Sequence, residues 1–247
     1  MLEKLLLVTA TKLEAEPLRA ELTELEQVSF PLGELWHGLL PASRTNTPSQ
    51  LVHLVHLGIG KVNTAAGLAL AIERLQPTAV IQFGIGGAYI NSFASIGVVM
   101  VATHDVHIDS GVRTSEGWQG MTHVGFPLLT KSNETYHNIF PTDKTLTHLF
   151  VDATGLPTGI FATSETITGT FGESTTIQEQ FDVAIESMEG AAAAQVCLAM
   201  NVPFAEVRGV SNIVGERDKR HWDIAKAVKR VNEVVLQTLL LGMRNEE

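Results

Sequence analysis

The sequence is poor in cysteine and in positive charge, and it lacks any apolar run of membrane-spanning length. A single cysteine, Cys197, among 247 residues excludes an intramolecular disulfide and predicts a reducing, cytoplasmic location. Lysine and arginine number 17 against 27 acidic residues, and the net charge of −10 argues against nucleic acid or a membrane surface as a partner. The first residues lack a basic leader, so they predict a strand and not a signal peptide.

Metal-ligand spacing is missing as well. None of the nine histidines stands in a His-Glu-x-x-His or comparable pattern. His104 and His107 are three residues apart in a predicted strand, which directs them to opposite faces. Neither a metal nor a cofactor is therefore predicted.

Apolar strand-like segments alternate with amphipathic helical segments from end to end. This alternation predicts one domain, residues 1–247, folded as a three-layer α/β/α sandwich around a central mixed, mostly parallel sheet. The predicted strands are residues 4–10, 34–39, 51–57, 78–83, 97–108, 159–164, 181–186 and 203–210. The predicted helices are residues 13–27, 61–75, 142–150, 189–200 and 222–241, and residues 41–50 predict an exposed loop.

Two polar residues follow predicted strands at the edge where open α/β sheets bind ligands. Glu189 begins an alanine-rich helix, where a carboxylate also gains ~0.3–1 kcal/mol from the helix dipole. Its position after a strand favours a second role in ligand binding, since one carboxylate can accept hydrogen bonds from both hydroxyls of a ribose diol. Asn212 is either a turn former or a group that reads a heterocycle edge through its donor and acceptor.

Glu14 also has two readings. Thr11 and Glu14 are spaced as a capping box, which by itself favours a structural role. The segment nevertheless follows the first strand, so Glu14 lies at the same sheet edge and could act as a general base on water.

Several further residues are open between a structural and a ligand-binding role. Two glycine turns, Gly-Ile-Gly-Lys at 58–61 and Gly-Ile-Gly-Gly at 84–87, match neither a Walker loop nor a complete Gly-x-Gly-x-x-Gly pattern. They are ordinary tight turns or places where backbone approaches a small ligand. Ile167 and Thr168 begin a loop or border a flat apolar slot, and Asp218 with Arg217 is a surface pair or part of the site.

Four separated motifs, at residues 58–65, 84–87, 188–190 and 207–212, resemble in order and spacing the landmarks of the nucleoside phosphorylase/nucleosidase superfamily. The resemblance covers nearly the whole chain and is greatest to its hydrolytic branch, which includes the methylthioadenosine/S-adenosylhomocysteine nucleosidases. Those enzymes carry Ser-Asp where this chain has Ser211 and Asn212. An asparagine has no titratable proton, and its N–H suits a 6-oxopurine.

The segment 211–218, Trp222 and the segment 109–112 resemble the futalosine hydrolases, which remove hypoxanthine from futalosine on a route to menaquinone. This resemblance implies hydrolysis of an N-glycosidic bond by a homodimer or larger homo-oligomer. It implies that Glu189 holds the ribose, Glu14 accepts a proton from water, Asn212 binds the base and Asp218 assists proton transfer. The resemblance further implies contacts with substrate or water from Gly86, Gly87, Ile167, Thr168 and Met188.

Three alternatives remain open at this level: an adenine-specific nucleosidase, a purine nucleoside phosphorylase and a non-catalytic nucleoside-binding protein. Futalosine carries a benzoate-like group, for which a cationic partner is expected. The candidates are Arg113, Arg208, Arg217 and Lys219.

Overall fold

The computed structural model describes residues 4–41 and 49–242. Its strands are β1 Leu5–Thr9, β2 Thr23–Val28, β3 Glu34–Leu40, β4 Gln50–His56, β5 Ala79–Ala88, β6 Val99–His107, β7 Gly111–Thr114, β8 Gly117–Gly120, β9 Leu129–Lys131, β10 Glu134–Tyr136, β11 Ile139–Pro141, β12 Thr158–Thr163, β13 Val183–Ser187 and β14 Phe204–Ile213. Its helices are α1 Lys12–Arg19, α2 Lys61–Leu75, α3 Met121–Val124, α4 Lys144–Thr154, α5 Phe171–Phe181, α6 Gly190–Met200 and α7 Ile224–Gly242. A short 3-10 turn, Lys219–His221, precedes α7.

Both faces of the central sheet are covered, as the alternation along β1 shows. Leu5 and Leu7 pack into an apolar cluster with residues of α1, α4 and α7, whereas Leu6 and Val8 pack on the opposite face with residues of α2 and α6. Successive strand residues point to opposite faces, so a continuous apolar run is what a doubly covered strand requires. The predicted three-layer α/β/α sandwich is confirmed.

The main sheet contains ten strands in the order β11-β6-β12-β13-β5-β1-β4-β3-β2, with β14 paired to β5 and β6. The sheet is mixed, as predicted. Five of its ten strand pairings are parallel and five are antiparallel, a larger antiparallel share than the strand–helix alternation indicates. Two of the antiparallel pairs belong to the β2-β3-β4 meander. The others join β11 to β6, β13 to β5 and β14 to β6.

Strand β5 changes its pairing partner midway along its length, and the sheet opens where this change occurs. β5 pairs with β1 through Ala79–Gln82, and with β13 only at Gly87 and Ala88. β1 and β13 thus lie on the same side of β5, and between these two pairing regions they separate and leave a crevice. Open α/β sheets bind ligands in crevices of this kind. On its other side β5 pairs with β14 along nearly its whole length.

The predicted helix at residues 13–27 is wrong in its second half. Helix α1 ends at Arg19, and residues Thr23–Val28 form the edge strand β2, which is exposed along most of its length. β2 exists because it pairs with β3, a long-range contact that local periodicity does not report. Most of the loop predicted at 41–50 lies outside the described residues. No helix within the described residues is long and apolar enough to cross a membrane.

Candidate active site

A cavity of about 300 Å³ opens at the carboxyl ends of β1, β12, β13 and β14. Its walls are mostly apolar, with polar groups from each of these strand ends. The lining residues are Ala10, Thr11, Leu13, Glu14, Ile59, Ile85, Gly86, Gly87, Ile167, Thr168, Glu186, Ser187, Met188, Glu189, Ser211, Asn212, Val214, Arg217, Trp222 and Ile224. A cavity of this kind, apolar with a few convergent polar groups, is the usual form of a small-molecule site.

Eight of the nine residues singled out from the sequence line this one cavity: Glu14, Gly86, Gly87, Ile167, Thr168, Met188, Glu189 and Asn212. Asp218 does not. Its carboxylate caps the 3-10 turn and forms a partly exposed, bidentate ion pair with Arg220, which lowers the pKa of Asp218. The structure therefore does not bring Asp218 to the other candidate residues.

Glu14 is both a helix cap and part of the cavity wall. The backbone N–H and the hydroxyl of Thr11 donate to Glu14 Oε2 at 2.9 and 2.8 Å, which completes the capping box. Its other oxygen, Oε1, accepts the backbone N–H of Ile85 at 2.9 Å across the crevice beside β5. The two readings of the sequence are compatible, since capping leaves the buried carboxylate facing the cavity.

Glu189 lies at the start of α6 and is held by the preceding backbone N–H and by groups from two other segments of the chain. Gly60 N–H donates to Oε1 at 3.1 Å, and Met188 N–H and Arg208 Nη2 donate to Oε2 at 3.3 Å each. Gly60 has φ of +97°, a left-handed conformation that glycine adopts at little cost. Burial raises the pKa of the Glu189 carboxyl, while the Arg208 charge acts in the opposite direction.

Arg208 is a part of this site that sequence reasoning misplaced. Its side chain is 1% exposed and lies behind the cavity wall. Nε donates to Glu206 at 2.8 Å, Nη1 to the carbonyl of Ile85 at 3.2 Å and Nη2 to Glu189. With its donors bound to internal partners, Arg208 is not available to a substrate carboxylate. Instead it orients Glu189 and binds the backbone of β5 at Ile85, the residue whose N–H donates to Glu14.

Asp105 is a further buried acid, and it lies next to Glu206, the partner of Arg208. Asp105 is fully buried and accepts the Thr163 hydroxyl at 2.8 Å. Burial raises the pKa of Asp105 well above its usual range, and the neighbouring Glu206 raises it further. Both carboxylates abut Gly190, where any side chain would collide with them. This glycine thus permits α6 to begin directly over the acidic pair.

At the opposite end of the cavity, β14 contains a bulge that redirects two polar side chains. The register with β5 shifts between Val210 and Asn212, and bulges of this kind re-aim side chains next to ligand sites. The Ser211 hydroxyl contacts Gly86 O at 3.1 Å and Asn212 Oδ1 at 2.8 Å, and Asn212 Nδ2 donates to Ile213 O at 3.0 Å. Asn212 retains one N–H for a ligand.

Glu186 is a cavity residue that the sequence analysis did not select. It receives Thr168 N–H at 3.0 Å on Oε1, and the hydroxyls of Thr168 and Tyr89 at 2.5 and 2.8 Å on Oε2. Burial raises the pKa of the Glu186 carboxyl, and these hydrogen bonds oppose that effect. The sequence signal was present, since Glu186 lies three residues before Glu189 at the end of an apolar strand.

Arg217 and Trp222 form the outer wall. The guanidinium of Arg217 lies over the Trp222 ring, 5.0 Å from its centroid, and the indole N–H donates to Glu216 O at 3.1 Å. Arg217 is the one cation among the described residues that line the cavity. Within the described part of the chain, no group of three or more His, Cys, Asp or Glu side chains is placed to hold a metal.

Three buried carboxylates, from Glu14, Glu186 and Glu189, and the Asn212 amide line one cavity at the strand ends of an α/β sheet, where enzymes of this architecture bind small molecules. The chain belongs to the phosphorylase superfamily, whose family model matches residues 4–240. It is 33% identical to the futalosine hydrolase of Thermus thermophilus over 95% of this chain and 94% of that protein. It is 28% identical to a 5'-methylthioadenosine/S-adenosylhomocysteine nucleosidase of a Geobacillus species, over 94% of this chain and 96% of that protein.

Solved structures show the same fold. A futalosine hydrolase mutant from Helicobacter pylori superposes with a TM-score of 0.80 at 18% identity, covering 96% of this chain and 98% of that one. A 5'-methylthioadenosine/S-adenosylhomocysteine nucleosidase from Neisseria meningitidis, in complex with methylthio-immucillin-A, has a TM-score of 0.81 at 22% identity, with 97% and 100% coverage. The resemblance to the nucleoside phosphorylase/nucleosidase superfamily is thereby confirmed.

Proposed function

We propose that the protein hydrolyses the N-glycosidic bond of futalosine, releasing hypoxanthine and dehypoxanthine futalosine in menaquinone biosynthesis. The observation that carries the proposal is that Glu14, Glu189 and Asn212, distant in sequence, line one cavity. Similarity to two futalosine hydrolases, from Thermus thermophilus and Streptomyces coelicolor, supports this choice of substrate.

Glu189 is the group for the ribose. Cleavage of a glycosidic bond places positive charge on the sugar ring, and a buried carboxylate beside the ring stabilises that charge. Arg208, Gly60 and Met188 hold the carboxylate in one orientation, so little reorganisation is needed at the moment of reaction. Met188 also lines the cavity, and we place it under the ribose.

Glu14 is the general base that accepts a proton from the attacking water. Ile85 and Thr11 direct their donors at its carboxylate, leaving one lone pair of Oε1 for an attacking water. Gly86 and Gly87 lie next to Ile85 and bring backbone, without side chains, close to the water position. As the water attacks the sugar carbon, its proton passes to Glu14. The electron pair of the glycosidic bond leaves with the base, which takes up a proton from solvent and departs as neutral hypoxanthine.

Asn212 is the group for the leaving base. Its free N–H reaches into the cavity where a 6-oxopurine offers an oxygen or ring nitrogen. Ile167 and Thr168 border the base. Asp218 takes no part in this scheme, because its carboxylate pairs with Arg220 outside the cavity.

Two rival activities fit the cavity less well. A phosphorylase needs several donors for a dianionic phosphate, typically including arginine. Among the described lining residues only Arg217 is cationic, and it lies over Trp222 at the outer wall. An adenine-specific nucleosidase would use an acid where this chain has Asn212.

Arg217 is also our choice for the carboxylate of the benzoate-like group. Arg217 is exposed and lines the cavity. Arg208 is hydrogen-bonded to internal partners, and neither Arg113 nor Lys219 is among the lining residues. The stacked Trp222 offers an apolar face beside that cation.

We further propose that the enzyme is a cytoplasmic homodimer or larger homo-oligomer. Apolar side chains around the cavity mouth are exposed, including Leu13, Ile59 and Ile167, and Val62 on α2 is 77% exposed. Contiguous exposed apolar surface is typical of interfaces. Sedimentation velocity should give at least twice the mass of one chain, and a monomer at micromolar concentration would contradict this part of the proposal.

The decisive experiment is an assay of free base without phosphate. The purified protein is incubated with futalosine, aminodeoxyfutalosine, methylthioadenosine and inosine, and the released base is separated and quantified. We expect hypoxanthine from futalosine at the highest kcat/KM. Base release that depends on added phosphate would instead identify a phosphorylase, and binding without release a nucleoside-binding protein.

A further inference from the structure

Glu186, Gly87 and Asn212 lie side by side in three neighbouring strands. Gly87 of β5 pairs with Glu186 of β13 on one side and with Asn212 of β14 on the other. Residues in one register row direct their side chains to the same face, and adjacent strands are ~4.8 Å apart. Glu186 and Asn212 therefore flank Gly87 across roughly 10 Å, and both face the cavity.

Gly87 leaves the space between them open. A side chain here would press on Val214 and on the Asn212 carboxamide. Without one, the floor between Glu186 and Asn212 is flat backbone, which suits a planar ring with polar groups at its edge.

The hydrogen bonds at Glu186 determine which kind of group it presents. Thr168 N–H and hydroxyl, the donors which that residue could offer a ligand, both go to Glu186. Oε2 accepts two bonds and Oε1 accepts one, so Oε1 keeps an unused lone pair. The cavity wall therefore presents the Glu186 carboxylate as an acceptor. Without Glu186, the Thr168 N–H would present a donor at the same place.

On the basis of the proposed function, we propose that Glu186 accepts the N1–H of the 6-oxopurine base and selects it against 6-aminopurines. Hypoxanthine carries a donor at N1 and an acceptor at C6, which complement the Glu186 carboxylate and the Asn212 N–H. Adenine carries the opposite pair, an acceptor at N1 and a donor at C6. A bound adenine would place its N1 lone pair against a carboxylate, a buried repulsion.

The direct test needs no variant. Calorimetric titration of the unmodified protein with hypoxanthine, 1-methylhypoxanthine and adenine should give the tightest binding for hypoxanthine. We expect about 10- to 100-fold weaker binding of 1-methylhypoxanthine and of adenine, the usual range for losing a hydrogen bond to a charged group. Equal affinity for hypoxanthine and its 1-methyl derivative would overturn the assignment.

The second test inverts the preference. In Glu186→Val the Thr168 N–H is released toward the cavity as a donor for N1 of adenine, and a β-branched residue suits the strand position. Hypoxanthine should lose about 10- to 100-fold in affinity while adenine gains. Equal losses for both bases would mean that Glu186 only supports the wall. If the valine variant does not fold, Glu186→Asp retracts the carboxylate and should weaken hypoxanthine alone.

Tyr89→Phe is the matched control. It removes one donor to Glu186 but keeps the carboxylate, so the ratio of hypoxanthine to adenine affinity should stay within about threefold of the unmodified protein. Base affinities are measured without turnover, which separates the two proposals. Absence of hypoxanthine release from futalosine would contradict the proposed function, and unselective binding of free bases would contradict the role of Glu186.

Discussion

The Nη2 atom of Arg208 lies 3.3 Å from Oε2 of Glu189, and both side chains are almost completely buried. This ion pair joins two otherwise separate parts of the site, because Arg208 also donates to the carbonyl of Ile85, whose N–H is bound by Glu14. Glu189 and Glu14, the carboxylates proposed to serve the ribose and the water, are thus linked through the Arg208 guanidinium and the backbone of Ile85.

The first prediction concerns pH. In the proposed mechanism Glu189 acts as an anion. Burial raises the pKa of its carboxyl, so kcat/KM should rise with pH through a value above that of an ordinary glutamate. Arg208 works against this shift. In the double variant Arg208→Met/Glu206→Gln, which removes the cation together with its buried partner, the acid limb should move to higher pH. The pH profiles of both proteins test this, and a limb that moves to lower pH would contradict it.

The second prediction separates the two roles of Glu14. Glu14→Gln retains a side chain that can complete a capping box, so stability should change little while kcat falls ~10²–10⁴-fold. Thr11→Ala is the matched control. It should cost about 1 kcal/mol of unfolding free energy and much less activity. Urea unfolding and steady-state kinetics give both quantities, and near-normal kcat in Glu14→Gln would refute the general base.

The third prediction concerns the base. Asn212→Asp replaces the carboxamide, of which one N–H donates to Ile213 O and the other remains for a ligand, with a carboxylate. Futalosine hydrolysis should fall by about 10-fold or more, and preference should shift toward adenine nucleosides. The measurement is kcat/KM for futalosine and aminodeoxyfutalosine. An unchanged ratio would place base recognition elsewhere.

The fourth prediction concerns Asp218. Its ion pair with Arg220 is at the surface, where solvent screens the attraction and such pairs contribute little to stability. Asp218→Asn should therefore leave kcat/KM within about threefold of the unmodified enzyme and leave the unfolding midpoint nearly unchanged. A loss of kcat of two orders of magnitude would restore this residue to the catalytic scheme.

The fifth prediction concerns Gly190. A methyl group here would collide with Asp105 and Glu206, neither of which can move into solvent. Gly190→Ala should destabilise the protein by about 1–3 kcal/mol, as overpacking in a core does. Gly172 in α5, where an added methyl meets open space, provides the control. Equal unfolding midpoints for the two variants would contradict the packing argument.

Local patterns predicted the central strands and most helices because these elements are buried and their apolar periodicity reports that burial. They failed at β2, whose exposed residues form a strand only because β3 lies beside them. They also identified Glu14, Glu189 and Asn212, since acids and amides after strands lie at one sheet edge whatever the details of packing.

Arg208, Glu186 and Asp218 mark the limit of that reasoning. The sequence offers Arg208 as one candidate partner for the benzoate-like group, but the packing of β14 against β5 buries it between carboxylates. Asp218 follows Asn212 by six residues, yet a turn directs it toward Arg220 and away from the cavity. The importance of Glu186 depends on pairing with Gly87 across strands that are about 100 residues apart along the chain.

The amino-acid sequence alone determined the layered α/β architecture and the edge at which ligands bind, because hydrophobic periodicity and strand ends are local properties. The tertiary structure decided which charges are sequestered, which acids face the same cavity and which wall offers an acceptor. Those features arise from strand pairing and burial over long distances, and the same residue types in another register would leave them scattered over the surface.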